Sequence, residues 1–211
     1  MQGVILVAAG AGERFGGPKV FAALEGRPLL EWAALPFYDF PDRVVVIREE
    51  DRALVTLKDW KIVRGGARRR DSVRAGLDAL DPQTEIVLVH DAARPLVSQA
   101  LVERVARAAR AGGAAVPVVP VRDTIKRVEG DAIVQTLQRS ELRAAQTPQG
   151  FRVELLRKAH AASDRDASDD ALLVEDLGAP VAAVAGDPRN IKVTTPADLA
   201  VARALMEAPG R

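Results

Sequence analysis

Apolar positions along this chain follow two rhythms. Short unbroken runs rich in Val and Ile, such as VILV at 4–7 and IVLVH at 86–90, alternate with longer segments whose apolar residues recur every third or fourth position. An unbroken run predicts a strand buried on both faces, and the wider spacing predicts a helix with one buried stripe. The runs predict strands at 4–7, 43–47, 61–63, 86–90, 114–119 and 181–184. The spaced segments predict helices at about 28–38, 49–58, 70–80, 98–111, 152–162 and 169–178. A last helix at about 196–207 opens on TPAD, with Thr195 as its cap and Pro196 in its first turn. Buried strands alternating with helices predict an α/β fold: a mostly parallel sheet, helices on both faces, and a ligand site at the carboxyl ends of the strands.

One segment breaks the alternation. VRDTIKRVEGDAIVQTLQR, 121–139, is two β-type stretches around EGDA, which predicts a protruding β-hairpin arm at about 121–143. An exposed hairpin carrying apolar residues needs a cover, and a second subunit can supply it, so a homodimer is expected. The rest of 1–211 shows no linker or repeat and predicts a single domain.

Composition narrows the classes. Apolar residues make up 48% of the 211, enough for a proper core. The net charge of +1, with acids and bases mixed, argues against a dedicated nucleic-acid binder. The absence of cysteine excludes disulfides and thiolate zinc sites. No apolar run approaches the ~18 residues needed to span a bilayer. MQGVILVAAG lacks the basic start and cleavage pattern of a signal peptide. A soluble cytoplasmic protein, with no nucleic-acid or membrane partner, is expected.

The first strand runs into AAGAGERFGGPK, 8–19. Glycines at 10, 12, 16 and 17 allow tight turns whose N–H groups form an anion-binding nest, and Arg14 and Lys19 add positive charge. A polyphosphate is the simplest ligand. A Walker A loop fails, because Pro18 and Lys19 follow the second spaced glycine where Lys and Ser/Thr are required. A dinucleotide loop fails, because the third glycine comes one residue late, at 16. The nucleotidyltransferase loop, A-A-G-x-G-x-R followed by P-K, fits at every position.

Other stretches add chemistry. VLVHDAARPLV, 87–97, ends a buried strand in Asp91, a lone carboxylate at a strand end that suits Mg²⁺ bound jointly with substrate phosphates. Arg94 could reach a second phosphate, whereas His90, pointing to the opposite face from Asp91, suits packing or a hydrogen bond. RGGARRRDSV, 64–73, offers small residues against which a flat base could lie, and Lys192 stands near a strand end ahead of the last helix. QTPQGF, 146–151, is a turn with a threonine hydroxyl, and SDDALLVEDLG, 168–178, begins as a helix capped by Ser168 or Asp169. A nicotinamide-dependent oxidoreductase would want an acid after the second strand and Tyr-x-x-x-Lys. Here Arg48 follows Ile47, and the only tyrosine, Tyr38, lacks that pattern. A nucleotide-binding protein without catalysis would have no need of Asp91, Arg94 and Lys192 together.

In order along the chain, AAGAGERFGGPK, GGARRRDSV, VHDAARP, PVRDTIKR, TPQGF, SDDALLVE and NIKVT resemble the motifs of the 2-C-methyl-D-erythritol 4-phosphate cytidylyltransferase family. The resemblance covers nearly the whole chain. It implies a Rossmann-like nucleotidyltransferase fold whose β-arm clasps a second subunit. It also implies transfer of CMP from CTP to 2-C-methyl-D-erythritol 4-phosphate, giving 4-diphosphocytidyl-2-C-methyl-D-erythritol and pyrophosphate for isoprenoid precursors. Another polyol phosphate, such as ribitol 5-phosphate, is the alternative acceptor. By the same resemblance, Ala8, Ala9, Gly10 and Gly12 line the nucleotide, and Gly66 and Ser72 meet the cytosine. Arg14, Lys19 and Lys192 act on the phosphates, and Asp91 meets Mg²⁺ and borders the substrate. Arg94, Thr124, Arg139 and Ser168 hold the polyol phosphate, with Thr124 and Arg139 coming from the partner's arm. Two positions depart from the family pattern: Val20 stands where glutamine is usual, and Ala67 where an acid is common.

Overall fold

The computed structural model describes residues 1–10, 12 and 15–207. The chain enters through β1 (Gln2–Val7), makes a small antiparallel ribbon of β2 (Ala23–Leu24) and β3 (Arg27–Pro28), and passes through α1 (Leu29–Ala34) to β4 (Asp42–Ile47) and β5 (Lys61–Arg64). Next come α2 (Arg69–Ala79), β6 (Ile86–Asp91), α3 (Gln99–Gly112) and β7 (Ala114–Pro120). The hairpin β8 (Lys126–Glu129) and β9 (Ala132–Thr136) follows, then β10 (Arg143–Ala145), β11 (Gln149–Arg152), α4 (Val153–Ala162), α5 (Asp170–Asp176), β12 (Ala182–Ala185) and α6 (Pro196–Glu207).

Among the described residues the main sheet has eight strands. β5, β4, β1 and β6 lie side by side and parallel. β11 runs antiparallel between β6 and β7, β10 continues along the same edge of β7, and β12 pairs in parallel with β7. The chain steps outward from β1 to β4 and β5, then returns to the other side of β1 for β6. The order therefore reverses between β1 and β6, where Val7 and Asp91 sit opposite each other at the carboxyl ends. A crevice opens at such a reversal because the flanking connections depart to opposite faces.

Residues of successive parity feed two cores. Leu6, Val45, Ile47 and Leu88 pack under Phe37, Leu101 and Val105, while Ile5, Val44, Val46, Val87 and Val89 pack under Val73, Leu77, Leu156 and Leu173. Both faces are covered, which is why these strands carry no polar alternation. Leu6 and Leu88 are completely buried; truncating either to alanine would cost about 2–5 kcal/mol.

The mostly parallel α/β sheet is present as expected. The predicted helix at 28–38 divides instead, because Pro36 offers no amide: α1 ends at Ala34 and Leu35–Phe37 tighten into a 3₁₀ turn. The predicted helix at 49–58 is a 3₁₀ segment, Glu49–Leu54, where the Arg48 Nε donates to the Asp51 carboxylate at 2.7 Å and closes a local turn. Thr195 caps α6 as predicted, its Oγ1 accepting from the Asp198 N–H at 3.3 Å, while the Asp198 carboxylate accepts from the Thr194 and Thr195 amides. Of the two candidate caps for α5, Asp169 serves, accepting from the Leu172 amide at 3.1 Å. The hairpin forms, and every residue of its two strands is exposed. Among the described residues no helix is long and apolar enough to cross a membrane.

Candidate active site

A cavity of about 530 Å³ lies over the carboxyl ends of β1, β4, β5 and β6. Ala8, Ala9 and Gly10 line it from β1, Lys19 and Val20 from the end of the glycine loop, Gly66, Ala67 and Ser72 from the start of α2, and Asp91 and Lys192 from the β6 side. A second cavity of about 550 Å³, beside Thr84, Glu85, Arg110 and Arg152, holds none of the predicted site residues.

Each wall has a local cause. Gly12 takes a φ of +70°, and a Cβ there would collide with the Gly17 carbonyl, so the loop's turn requires glycine. After β5, the Gly65 amide donates to the Ile47 carbonyl at 2.8 Å, and a Cβ on Gly66 would strike Asp71. The Ser72 hydroxyl accepts from the Gly66 amide at 3.2 Å and donates to the Arg68 carbonyl at 3.3 Å. Ser72 thus holds the Gly-Gly turn against the first turn of α2.

Asp91 is the electrostatic centre. Lys192 Nζ donates to Asp91 Oδ2 at 2.6 Å, and an Arg69 amino group donates to Oδ1 at 3.4 Å. Burial by itself would raise the Asp91 carboxyl; Arg69 and Lys192 outweigh it and hold the group well below the usual carboxylate range. The other amino group of Arg69 donates to Asp170 Oδ2 at 2.7 Å, and His160 Nε2 meets Asp170 Oδ1 at 3.1 Å.

Asp91 is also fixed through its backbone. Its amide donates to Thr147 Oγ1 at 3.1 Å, and that hydroxyl lies 3.0 Å from His90 Nδ1. His90 Nε2 lies 3.2 Å from the Arg94 carbonyl. A carbonyl can only accept, so Nε2 carries the proton and Nδ1 accepts from the threonine hydroxyl. The imidazole is fully buried, which pushes its pKa down from 6.5 to about 4 despite the neighbouring Asp91. His90 is therefore a neutral brace on the face opposite Asp91, packed against Phe37.

Comparison with known proteins adds a second line of support. The sequence profile of the family 2-C-methyl-D-erythritol 4-phosphate cytidylyltransferase (IspD) matches residues 3–208. The chain belongs to this family. The enzyme of that name from Rhodococcus jostii is 48% identical over 96% of this chain and 94% of its own. The crystal structure of the enzyme from Thermus thermophilus superposes with a TM-score of 0.84 at 42% identity, covering 97% of this chain and 98% of that one. A protein of Solidesulfovibrio magneticus described as bifunctional enzyme IspD/IspF is 48% identical over 93% of this chain, which spans 55% of that longer protein. Family membership makes this chain a nucleotidyltransferase, and the family's reaction is cytidylyl transfer to 2-C-methyl-D-erythritol 4-phosphate.

Of the residues carried over from the family pattern, Ala8, Ala9, Gly10, Lys19, Gly66, Ser72, Asp91 and Lys192 all line the one cavity. Gly12 shapes the loop without lining the cavity, and Arg14 lies outside the described residues. The Arg94 guanidinium donates to the carbonyls of Asn190, at 2.7 Å, and Ala145, at 3.5 Å, and so ties β6 to the segment carrying Lys192. Thr124 and Arg139 are exposed at the base of the hairpin, where Arg139 donates to the Arg122 carbonyl at 2.6 Å. Ser168 is exposed beside the α5 cap. Val20, in the place of a usual glutamine, is buried in the core beneath the cavity.

Sequence reasoning missed Arg69 and Asp170. The three arginines at 68–70 look alike in the sequence yet part ways in α2. Arg68 pairs with Asp71 and Asp164, Arg69 turns to Asp91 and Asp170, and Arg70 is buried on the carbonyls of His160 and Arg165. The available signal was the position of Arg69 in the first turn of a helix that begins at a ligand-facing Gly-Gly.

Proposed function

We infer that this cavity binds CTP and transfers its cytidylyl group to 2-C-methyl-D-erythritol 4-phosphate. One observation carries the reading: a buried carboxylate held between Lys192 and Arg69, at the crevice between β1 and β6, faces a glycine loop that ends in Lys19. The site is rich in fixed charge and, among the described residues, offers no activated nucleophile, which suits a reaction between two anions. A phosphate oxygen of the acceptor attacks the α-phosphorus of CTP. The bond from that phosphorus to the bridging oxygen breaks, and its electron pair leaves with pyrophosphate. The nucleophile is already anionic, so catalysis rests on positioning and charge stabilisation.

In this reading Ala8, Ala9, Gly10 and Gly66 accept the nucleoside, with Ser72 keeping the Gly-Gly turn in place. Arg14, Lys19 and Lys192 neutralise charge growing on the phosphates. Among the described residues no cluster of three or more His, Cys, Asp or Glu could hold a metal alone. Mg²⁺ still fits, because it is commonly held by one or two carboxylates together with substrate phosphates, and Asp91 is such a carboxylate. The ion would supply further neutralisation of phosphate charge, with Asp91 holding it.

Thr124 and Arg139 do not line the cavity of their own chain. The hairpin beside them exposes Val128, Ile133 and Val134, with Ile133 65% exposed. A homodimer in which each arm covers its partner, and brings Thr124 and Arg139 to the partner's polyol phosphate, accounts for both features. Ser168 and Arg94 are the remaining candidate polyol-phosphate contacts. The test is pyrophosphate release from CTP and Mg²⁺, with methylerythritol phosphate and ribitol phosphate offered separately. Release with the first acceptor is expected, and release with ribitol phosphate alone would return the assignment to the alternative acceptor.

A further inference from the structure

We propose that Arg69 is a positioning residue of this active site, anchored by Asp170, and that it acts through Asp91. The inference rests on the proposed function and adds to it two residues that the reaction scheme does not use.

The geometry is that of a relay with one end in the cavity. Asp170 is 1% exposed and sits in the first turn of α5. Its two carboxylate oxygens are separately engaged, Oδ1 by His160 Nε2 at 3.1 Å and Oδ2 by Arg69 at 2.7 Å. Arg69 lines the cavity and reaches the Asp91 oxygen that Lys192 does not hold. Its planar fork therefore bridges two carboxylates, one structural and one in the site.

A lone buried carboxylate such as Asp170 is costly unless fully paired. Hydrophobic residues of similar volume would stabilise the α4–α5 packing as well or better. The placement of this ionic pair, reaching from α5 across to the site, is explained if its work is to orient Arg69. The α5 cap is rigid in its own right: the Asp169 carboxylate accepts from Gln149 Nε2 at 2.7 Å, and Gln149 Oε1 accepts from the Ala171 amide at 3.2 Å. Asp170 is thus delivered on a fixed element rather than on a loop. Asp91 is then set from three sides: Lys192 and Arg69 on its carboxylate, and Thr147 on its amide. If Lys192 is drawn to the phosphates during the reaction, Arg69 keeps the carboxylate aligned. A lysine at 69 would be a poor substitute, since a single point charge cannot bridge two carboxylates in a fixed plane.

The experiment compares the wild-type protein with Arg69→Gln, Arg69→Lys, Asp170→Asn and the Arg69→Gln/Asp170→Asn double variant. It measures kcat and KM for CTP by pyrophosphate release, and thermal midpoints in parallel. Arg69→Gln is expected to lower kcat by about tenfold or more, with KM changed by less than about threefold, because misalignment acts on the reacting geometry rather than on ground-state binding. Arg69→Lys should recover little of the loss. The double variant should be no worse in kcat than the poorer single one, as expected of residues acting as one unit. Wild-type kcat in folded Arg69→Gln would overturn the proposal, as would multiplicative losses in the double variant. If Asp170→Asn fails to fold, Arg69→Gln and Arg69→Lys, altered at a half-buried side chain, still decide the matter. A wild-type protein inactive on methylerythritol phosphate would instead overturn the function on which the proposal rests.

Discussion

The floor of the cavity and the hairpin arm follow opposite designs within one chain. At the floor, Asp91 is held by Lys192, Arg69 and Thr147, with a neutral buried histidine behind the threonine. In the arm, every residue of β8 and β9 is exposed, and the two strands form a sheet of their own. The contacts that hold Asp91 all come from its own chain. The arm is not complete, since a two-stranded hairpin is marginal in water without something to pack against. Chemistry that needs alignment to a fraction of an ångström is built on the sheet, and in the proposed dimer the arm would carry recognition that is assembled later.

Removing the charge that faces this floor from the glycine loop should have the largest effect. Lys19→Ala is expected to lower kcat at least ~100-fold, the scale for losing a charge partner of the transition state. Steady-state turnover close to wild type would take Lys19 out of the chemistry.

The floor should also respond to pH. The folded His90 pKa is depressed to about 4, against 6.5 in the unfolded chain. Between these values the unfolded state binds a proton that the folded state refuses, so stability is complete above about pH 6.5 and is lost as pH falls toward 4. Desolvation is the first cause, with the Arg94 and Lys192 charges assisting and Asp91 opposing. Urea unfolding at pH 7 and pH 5 should differ by about 2 kcal/mol from this group. An equal difference in a folded His90→Gln variant would assign the pH dependence elsewhere.

The arm's dependence on a partner is tested by Ile133→Asp. Self-association measured by sedimentation should weaken by about tenfold or more, the scale for a central apolar contact, while an unchanged mass distribution would leave the arm without a partner. The smallest effect belongs within the arm itself. Lys126 Nζ donates to Thr136 Oγ1 at 2.8 Å, with both residues exposed. Lys126→Ala should move stability by no more than about 0.5 kcal/mol, and a larger change would show that the arm is packed more tightly than its exposure indicates.

Much of this contrast is legible in the residues alone. The unbroken apolar runs of β1, β4 and β6 mark buried parallel strands, and EGDA between two β-type stretches marks the hairpin. The short strands β10 and β11 escape notice because RAAQTPQGF carries a proline and too few alternating positions to show a period. β11 is nevertheless the strand that joins β6 to β7, so the sheet order stays hidden with it. The glycine loop, Asp91 and Lys192 can be found because their residue types and strand-end positions imply phosphate chemistry. Arg69 stands in the first turn of α2 after the Gly-Gly, but Arg70 shares that turn, and which of the two faces the site depends on which neighbour α2 packs against. Asp170 is hidden for the same reason, as the second acid of an ordinary helix cap.

The measurement closest to the central claim is pyrophosphate release by the intact chain with CTP and Mg²⁺, offered 2-C-methyl-D-erythritol 4-phosphate and ribitol 5-phosphate in separate reactions. Rapid release with the methylerythritol phosphate and background release with ribitol phosphate is the predicted result. Release with ribitol phosphate alone, or with neither acceptor, would contradict it.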